Sequence, residues 1–136
     1  MRSQAKWMVM GGLGLALLAA LALPLLVTAA RQGPAREEEA RQLTGGESER
    51  GQRAMQHYGC GTCHQIPGVP GATGTVGPAL SGIGQRSYLA GKLSNSPENL
   101  LRWIQEPQQV VPGNAMPDMN IPDEEARHIA AYLYTL

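Results

Sequence analysis

The only two cysteines of the chain stand in Cys60-Gly61-Thr62-Cys63-His64, three positions apart, with a histidine directly after the second. What these thiols hold decides what the surrounding residues must wrap. A structural zinc site needs four ligands, usually from two such pairs, and there is no second cysteine pair. A thioredoxin-like dithiol needs a βαβ setting, which the residues around Cys60 do not provide. A disulfide between Cys60 and Cys63 would close a tiny loop and stabilise little. None of these readings uses His64.

With 136 residues there is room for one small domain and an accessory segment. Phe is absent, while Gly (17) and Pro (10) are abundant, so the chain is rich in loops and short of large apolar side chains. A domain built this way needs a staple, a metal or a bulky apolar cofactor to bury enough surface. Eleven Lys and Arg balance 11 Asp and Glu. No global field therefore draws the chain to nucleic acid, and no nucleic-acid partner is expected.

Residues 8–30 carry no charge and follow Arg2 and Lys6. The run is long enough to cross a hydrocarbon core of about 30 Å as a helix. A cleaved signal peptide, with small residues at Val27-Thr28-Ala29, is the rival, but its apolar region would be only about 7–15 residues. The expectation is a single-pass anchor over 1–30 in contact with membrane lipid through 8–30. The basic residues before it place the following chain outside the cytoplasm. Residues 31–46 are charged, end in Gly45-Gly46 and read as a polar, solvated linker; a short helix over Arg36 to Leu43 would gain only about 0.3 kcal/mol from pairs such as Glu37–Arg41.

The exported domain is expected over 47–136. Glu47 to Tyr58 suits a short helix running into the cysteines. Gly59 to Gly84, with eight Gly and three Pro, has almost no periodicity; a loop of that length suits a segment wrapped around a ligand. Ser96 and Pro97 open a helix with Leu100, Leu101 and Ile104 on its apolar side, ending before Pro107. A proline-rich loop follows over Pro107 to Pro122. Ala126, Ile129, Ala130 and Leu133 then recur at helical spacing in a last helix. The fold class is all-α, with three to five short helices, long loops, and little or no strand.

Cys-x-x-Cys-His is the attachment pattern of c-type haem. Two thiols on one turn reach the two vinyl groups on one edge of a porphyrin, and His64 falls beneath the iron as proximal ligand. Candidates for a sixth ligand are Met55, His57, Met116, Met119 and His128. His57 lies on the wrong side of the turn, Met55 reads as packing and His128 as a solvated flank. Met116 is the better choice, in a loop with Pro112 and Pro117 on either side; Met119 is the nearest competitor.

Through these residues the chain resembles the class I c-type cytochromes. The likeness is strongest to the haem c domain carried on subunit II of some haem-copper oxidases, through Val76-Gly77-Pro78-Ala79-Leu80, residues 90–100, Trp103-Ile104 and Pro112-Gly113-Asn114-Ala115-Met116-Pro117. The resemblance implies one covalent haem c with His64 and Met116 on the iron, a crossing of the first and last helices near Gly51 and Tyr132, and a His64 ring donating to the Pro78 carbonyl. It supports Trp103 both as core aromatic and as propionate donor. Arg86 and Tyr88 are read as propionate or haem-edge residues, with solvated side chains as the alternative. Leu80, Ile83, Leu100 and Ile104 are expected to pack on the ring.

With both axial positions filled, the expected function is electron transfer and not an enzymatic transformation, with no small-molecule substrate. The implied protein is free-standing and anchored in a prokaryotic cytoplasmic membrane with its haem on the outer face. It would carry electrons from a quinol-oxidising complex to a haem-copper terminal oxidase in a respiratory or photosynthetic chain. A permanently bound haem subunit of a larger oxidoreductase is the alternative, followed by a ligand-binding or peroxidase-like haem protein.

Overall fold

The computed structural model describes residues 20–24, 26–28 and 32–136, which fall into two units meeting at Ala35 and Arg36. In the first unit residues 20–24, 26–28 and 32–35 are helical, with Leu21, Leu23 and Leu26 exposed. Most of the expected membrane-spanning run lies outside the described residues. Among the described residues no helix is long and apolar enough to cross a membrane.

The second unit opens with α1, residues 36–44, followed by α2, Ser48–His57, α3, Pro97–Gln105, α4, Pro107–Val110, and α5, Asp123–Thr135. Single 3₁₀ turns lie at Cys60–Thr62 and Ile83–Gln85, and β1, Tyr88–Leu89, pairs antiparallel with β2, Leu93–Ser94. The helical domain with long loops matches the expectation. The small hairpin and the single turn of α4, within the stretch read as a loop, are additions to it.

The core is organised by the crossing of α2 over α5. Gly51 is buried there, and a methyl group on it would overlap the His128 carbonyl and lie 2.9 Å from Tyr132 Cβ. The lack of a side chain lets the two backbones meet where the resemblance puts the crossing. Ala54 and Met55 of α2 pack with Ala126, Ile129, Ala130 and Leu133 of α5, which confirms Met55 as a core residue. α3 is capped by Ser96, whose hydroxyl accepts from the Asn99 N–H at 3.3 Å, and brings Leu100 and Ile104 to the same core. Asn95 ties the middle of the chain to α5. Its amide donates to the carbonyls of Ile83 and Arg86, both at 2.8 Å, and its oxygen accepts from the Tyr134 hydroxyl at 3.2 Å.

The chain before Glu47 departs most from expectation. From Arg36 the residues read as a solvated linker are helical and belong to the same unit as the rest of the domain. Ala40 and Thr44 are 1% and 2% exposed. The helix ends in a left-handed glycine, Gly45, at φ +70°, whose N–H donates to the Arg41 carbonyl at 2.8 Å. Gly46 then runs against α5, where a Cβ would lie 2.7 Å from the His128 nitrogen. Arg127 donates to the Thr44 carbonyl at 3.3 Å, and His128 Nδ1 accepts from the Glu47 N–H at 2.9 Å. Burial of two small residues four positions apart and backbone contacts to α5 hold α1, so the short helix that the sequence allows over Arg36 to Leu43 forms through docking and not through charge pairing.

His128 is likewise buried, at 4% exposure, and not on a solvated flank. The Gly46–Glu47 connection covers the side of α5 that the apolar stripe leaves polar. With Nδ1 accepting from Glu47, the ring proton sits on Nε2, which is buried without a hydrogen-bond partner among the described residues and lies 3.6 Å from the Glu124 carboxylate.

Candidate functional site

The cysteine motif is built by the end of α2. After the left-handed Gly59 at φ +70°, the chain makes its 3₁₀ turn, with the Thr62 hydroxyl donating to the Gly59 carbonyl at 2.8 Å and the His64 N–H to the Cys60 carbonyl at 3.0 Å. Cys60 and Cys63 are both free thiols and partly buried, so the disulfide reading is not what the structure adopts. Burial pushes the Cys60 thiol above its ordinary range. Among the described residues no three His, Cys, Asp or Glu side chains converge as ion ligands.

The long glycine-rich loop folds back over this turn. Gly74 donates to the Gly61 carbonyl at 3.1 Å and Gly77 to the Cys63 carbonyl at 2.8 Å. At both positions the approach is too close for a side chain: a Cβ at Gly77 would sit 2.6 Å from His64 Nδ1, and one at Gly74 would sit 2.5 Å from the Cys63 carbonyl carbon. His64 Nδ1 lies 2.7 Å from the Pro78 carbonyl. A carbonyl can only accept, so Nδ1 carries the proton and Nε2 keeps its lone pair.

That geometry fits a covalent haem. Two free thiols on one turn offer thioether anchors, and an imidazole held through Nδ1 offers the Nε2 lone pair as a ligand of fixed orientation. Arg86 reinforces the strip on the other side of Pro78, donating to the carbonyls of Ala79, at 2.5 Å, and Ser81, at 3.2 Å. Its guanidinium thus braces the backbone and is not merely solvated. Leu80, Ile83, Leu100 and Ile104 are brought together in one buried cluster, against which Cys60 packs. Trp103, on α3, is partly buried, whereas Tyr88 is 67% exposed on β1.

Met116 is partly buried in its loop, and Met119 is exposed. The loop holds its shape through side-chain amides that sequence reasoning passed over. Asn114 Oδ1 accepts from the Met116 N–H at 2.7 Å, while its Nδ2 donates to the carbonyls of Pro107 at 2.9 Å and Val111 at 2.6 Å. Gln108 Nε2 donates to the carbonyls of Met116 at 2.6 Å and Asn114 at 3.0 Å. The available signal was two amide residues flanking a proline–glycine turn before the methionine. His57 is exposed at the end of α2, its ring edge-on to Tyr58 at 5.1 Å.

Comparison with known proteins agrees with this chemistry. The chain is 41% identical over 90 residues to cytochrome c oxidase subunit 2 of Alkalihalophilus pseudofirmus, which covers 63% of this chain and 25% of that protein. It is 30% identical over 87 residues to cytochrome c oxidase subunit 2 of Bacillus sp. strain PS3, covering 61% and 24%. The chain thus spans about a quarter of the length of these curated relatives. No solved structure matches. The profile of the cytochrome c family matches residues 48–136, from the first residue of α2 to the last of the chain, and the chain belongs to the cytochrome c family.

Proposed function

We propose that this chain is a membrane-anchored monohaem cytochrome that transfers single electrons, with haem c joined through Cys60 and Cys63 and ligated by His64 and Met116. The family binds haem c covalently and carries electrons. The haem iron supplies the redox chemistry, accepting and releasing one electron. The observation that carries the reading is the contact between His64 Nδ1 and the Pro78 carbonyl, which turns the free Nε2 lone pair into a ligand of fixed tautomer and orientation. The Met116 loop would supply a thioether as the second protein ligand, which would favour the reduced state and raise the potential. Leu80, Ile83, Leu100 and Ile104 form an apolar wall that excludes water, in the same direction. Trp103 donates to a propionate in this reading.

The domain works outside the cytoplasmic membrane, anchored through residues 8–30. It takes electrons from a quinol-oxidising complex and delivers them to a haem-copper terminal oxidase, an assignment supported by the likeness to oxidase subunit 2. The same likeness favours, as second reading, a haem subunit fixed within an oxidase. Co-purification in mild detergent separates the two, since a fixed subunit stays with its complex and a mobile carrier does not. From Glu47 onward there are six Lys and Arg against eight Asp and Glu, so docking relies on apolar contact and depends weakly on salt.

The visible spectrum of the reduced protein, before and after addition of carbon monoxide, tests the core of the proposal. A low-spin spectrum that carbon monoxide leaves unchanged is expected for two protein ligands. A spectrum that shifts at once places a ligand-binding or peroxidase-like role ahead of electron transfer.

A further inference from the structure

Both backbone polar groups of Met116 are satisfied by side-chain amides: its N–H by Asn114 at 2.7 Å and its carbonyl by Gln108 at 2.6 Å. Gln108 does more than hold one atom. Its oxygen accepts from the Gly113 N–H at 3.0 Å, its amide also reaches the Asn114 carbonyl, and its own N–H donates to Asp118 at 3.2 Å. The side chain projecting from α4 therefore links Gly113 and Asn114 with Met116, and the Gln108 backbone adds Asp118. The neighbouring Gln109 is exposed and makes none of these contacts.

We propose that Gln108 is a positioning residue that, with Asn114, holds Met116 in place and sets how readily the loop yields the iron to an outside ligand. This rests on the reading of Met116 as axial ligand. The physical argument is a population one. An external ligand can occupy the methionine's place only when the loop opens, so its apparent affinity is reduced by the fraction of open loop. Each of the two donor bonds from Gln108 Nε2 shifts the closing equilibrium by roughly a factor of two to ten. Loss of both, with the Gln108 backbone left in place, raises the open fraction without removing the thioether.

The test is an imidazole titration of the oxidised, haem-loaded full chain, followed in the visible spectrum, for wild type, Gln108→Leu, Gln108→Glu, Gln109→Leu and Met116→Ala. Gln108→Glu keeps an acceptor for Gly113 and loses the donor to Met116, so it serves if the leucine variant yields no holoprotein. Expected are an apparent Kd for imidazole about tenfold lower in the Gln108 variants, an unchanged far-UV circular dichroism spectrum, and wild-type titration of Gln109→Leu. The proposal is overturned if the Gln108 variants titrate as wild type while Met116→Ala binds imidazole more tightly, which leaves Met116 as ligand. It is overturned also if Gln109→Leu shifts as far as Gln108→Leu, since α4 then loosens as a whole. A wild-type titration of Met116→Ala removes the axial-ligand reading itself.

Discussion

Replacing Gly51 with alanine tests the α2–α5 crossing on which the site is built. The added Cβ would stand 2.5 Å from the carbonyl carbon of His128 and 2.9 Å from Cβ of Tyr132, against ordinary contacts of 3.4–4 Å. Both neighbours are rigid: one is helical backbone and the other is the first side-chain atom. Relief requires the helices to part by about 1 Å, which costs about 1–3 kcal/mol as overpacking. The same movement stretches the 2.9 Å bond from the Glu47 N–H to His128 and leaves a part-buried donor poorly satisfied, adding up to about 1 kcal/mol. A total of roughly 1–4 kcal/mol is a sizeable part of a domain's stability of about 5–15 kcal/mol. Guanidinium unfolding of the haem-loaded protein, followed by far-UV circular dichroism, should show the midpoint falling for Gly51→Ala and not for Gly33→Ala, where no atom lies within 4 Å of the new methyl. A Gly51→Ala midpoint equal to wild type would refute the close-packed crossing.

Ala40→Lys should destabilise the domain by about 1–3 kcal/mol in the same assay, because Ala40 is buried, whereas Gln42→Lys on the exposed side of α1 should be neutral. His128→Ala leaves the Glu47 N–H without its acceptor and removes a buried ring, for a loss of about 2–4 kcal/mol; hydrogen exchange at the Glu47 amide should quicken accordingly. Burial raises the Tyr132 phenol above its ordinary range, against a smaller lowering by Gln52. A raised folded-state value means that this group's contribution is complete below about pH 10 and is lost as pH rises through the folded value, so alkaline loss of stability should be smaller in Tyr132→Phe, measured by unfolding midpoints across that range.

The chemistry of the site was legible because it is local. Cys60, Cys63 and His64 sit on one turn, Ser96 and Pro97 cap their own helix, and the apolar spacing of α5 follows from 3.6-residue periodicity. What escaped reading depends on partners far along the chain. His128 is buried because the Glu47 N–H, 81 residues earlier, folds over it. α1 docks through alanine, threonine and glycine, which leave no hydrophobic signature. Gln108 and Asn114 look like ordinary polar loop residues until the Met116 backbone lies between them. The crossing at Gly51 and the Pro78 contact came from family resemblance and not from composition or periodicity, since each joins elements that are distant in sequence.

The docking of α1 also alters what the chain can reach. With residues 36–44 taken into the domain and residues 32–35 helical as well, the stretch between the end of the uncharged run at Ala30 and the folded body at Arg36 falls short of the roughly 20 Å that its six residues could reach if extended. A linker of 31–46 would have allowed more than twice that radius. Were the proposed anchor held in a bilayer, so short a leash would limit how far the domain could stray from the lipid headgroups. Under that proposal its search for partners would be lateral, set by drift in the plane and not by diffusion through the bulk.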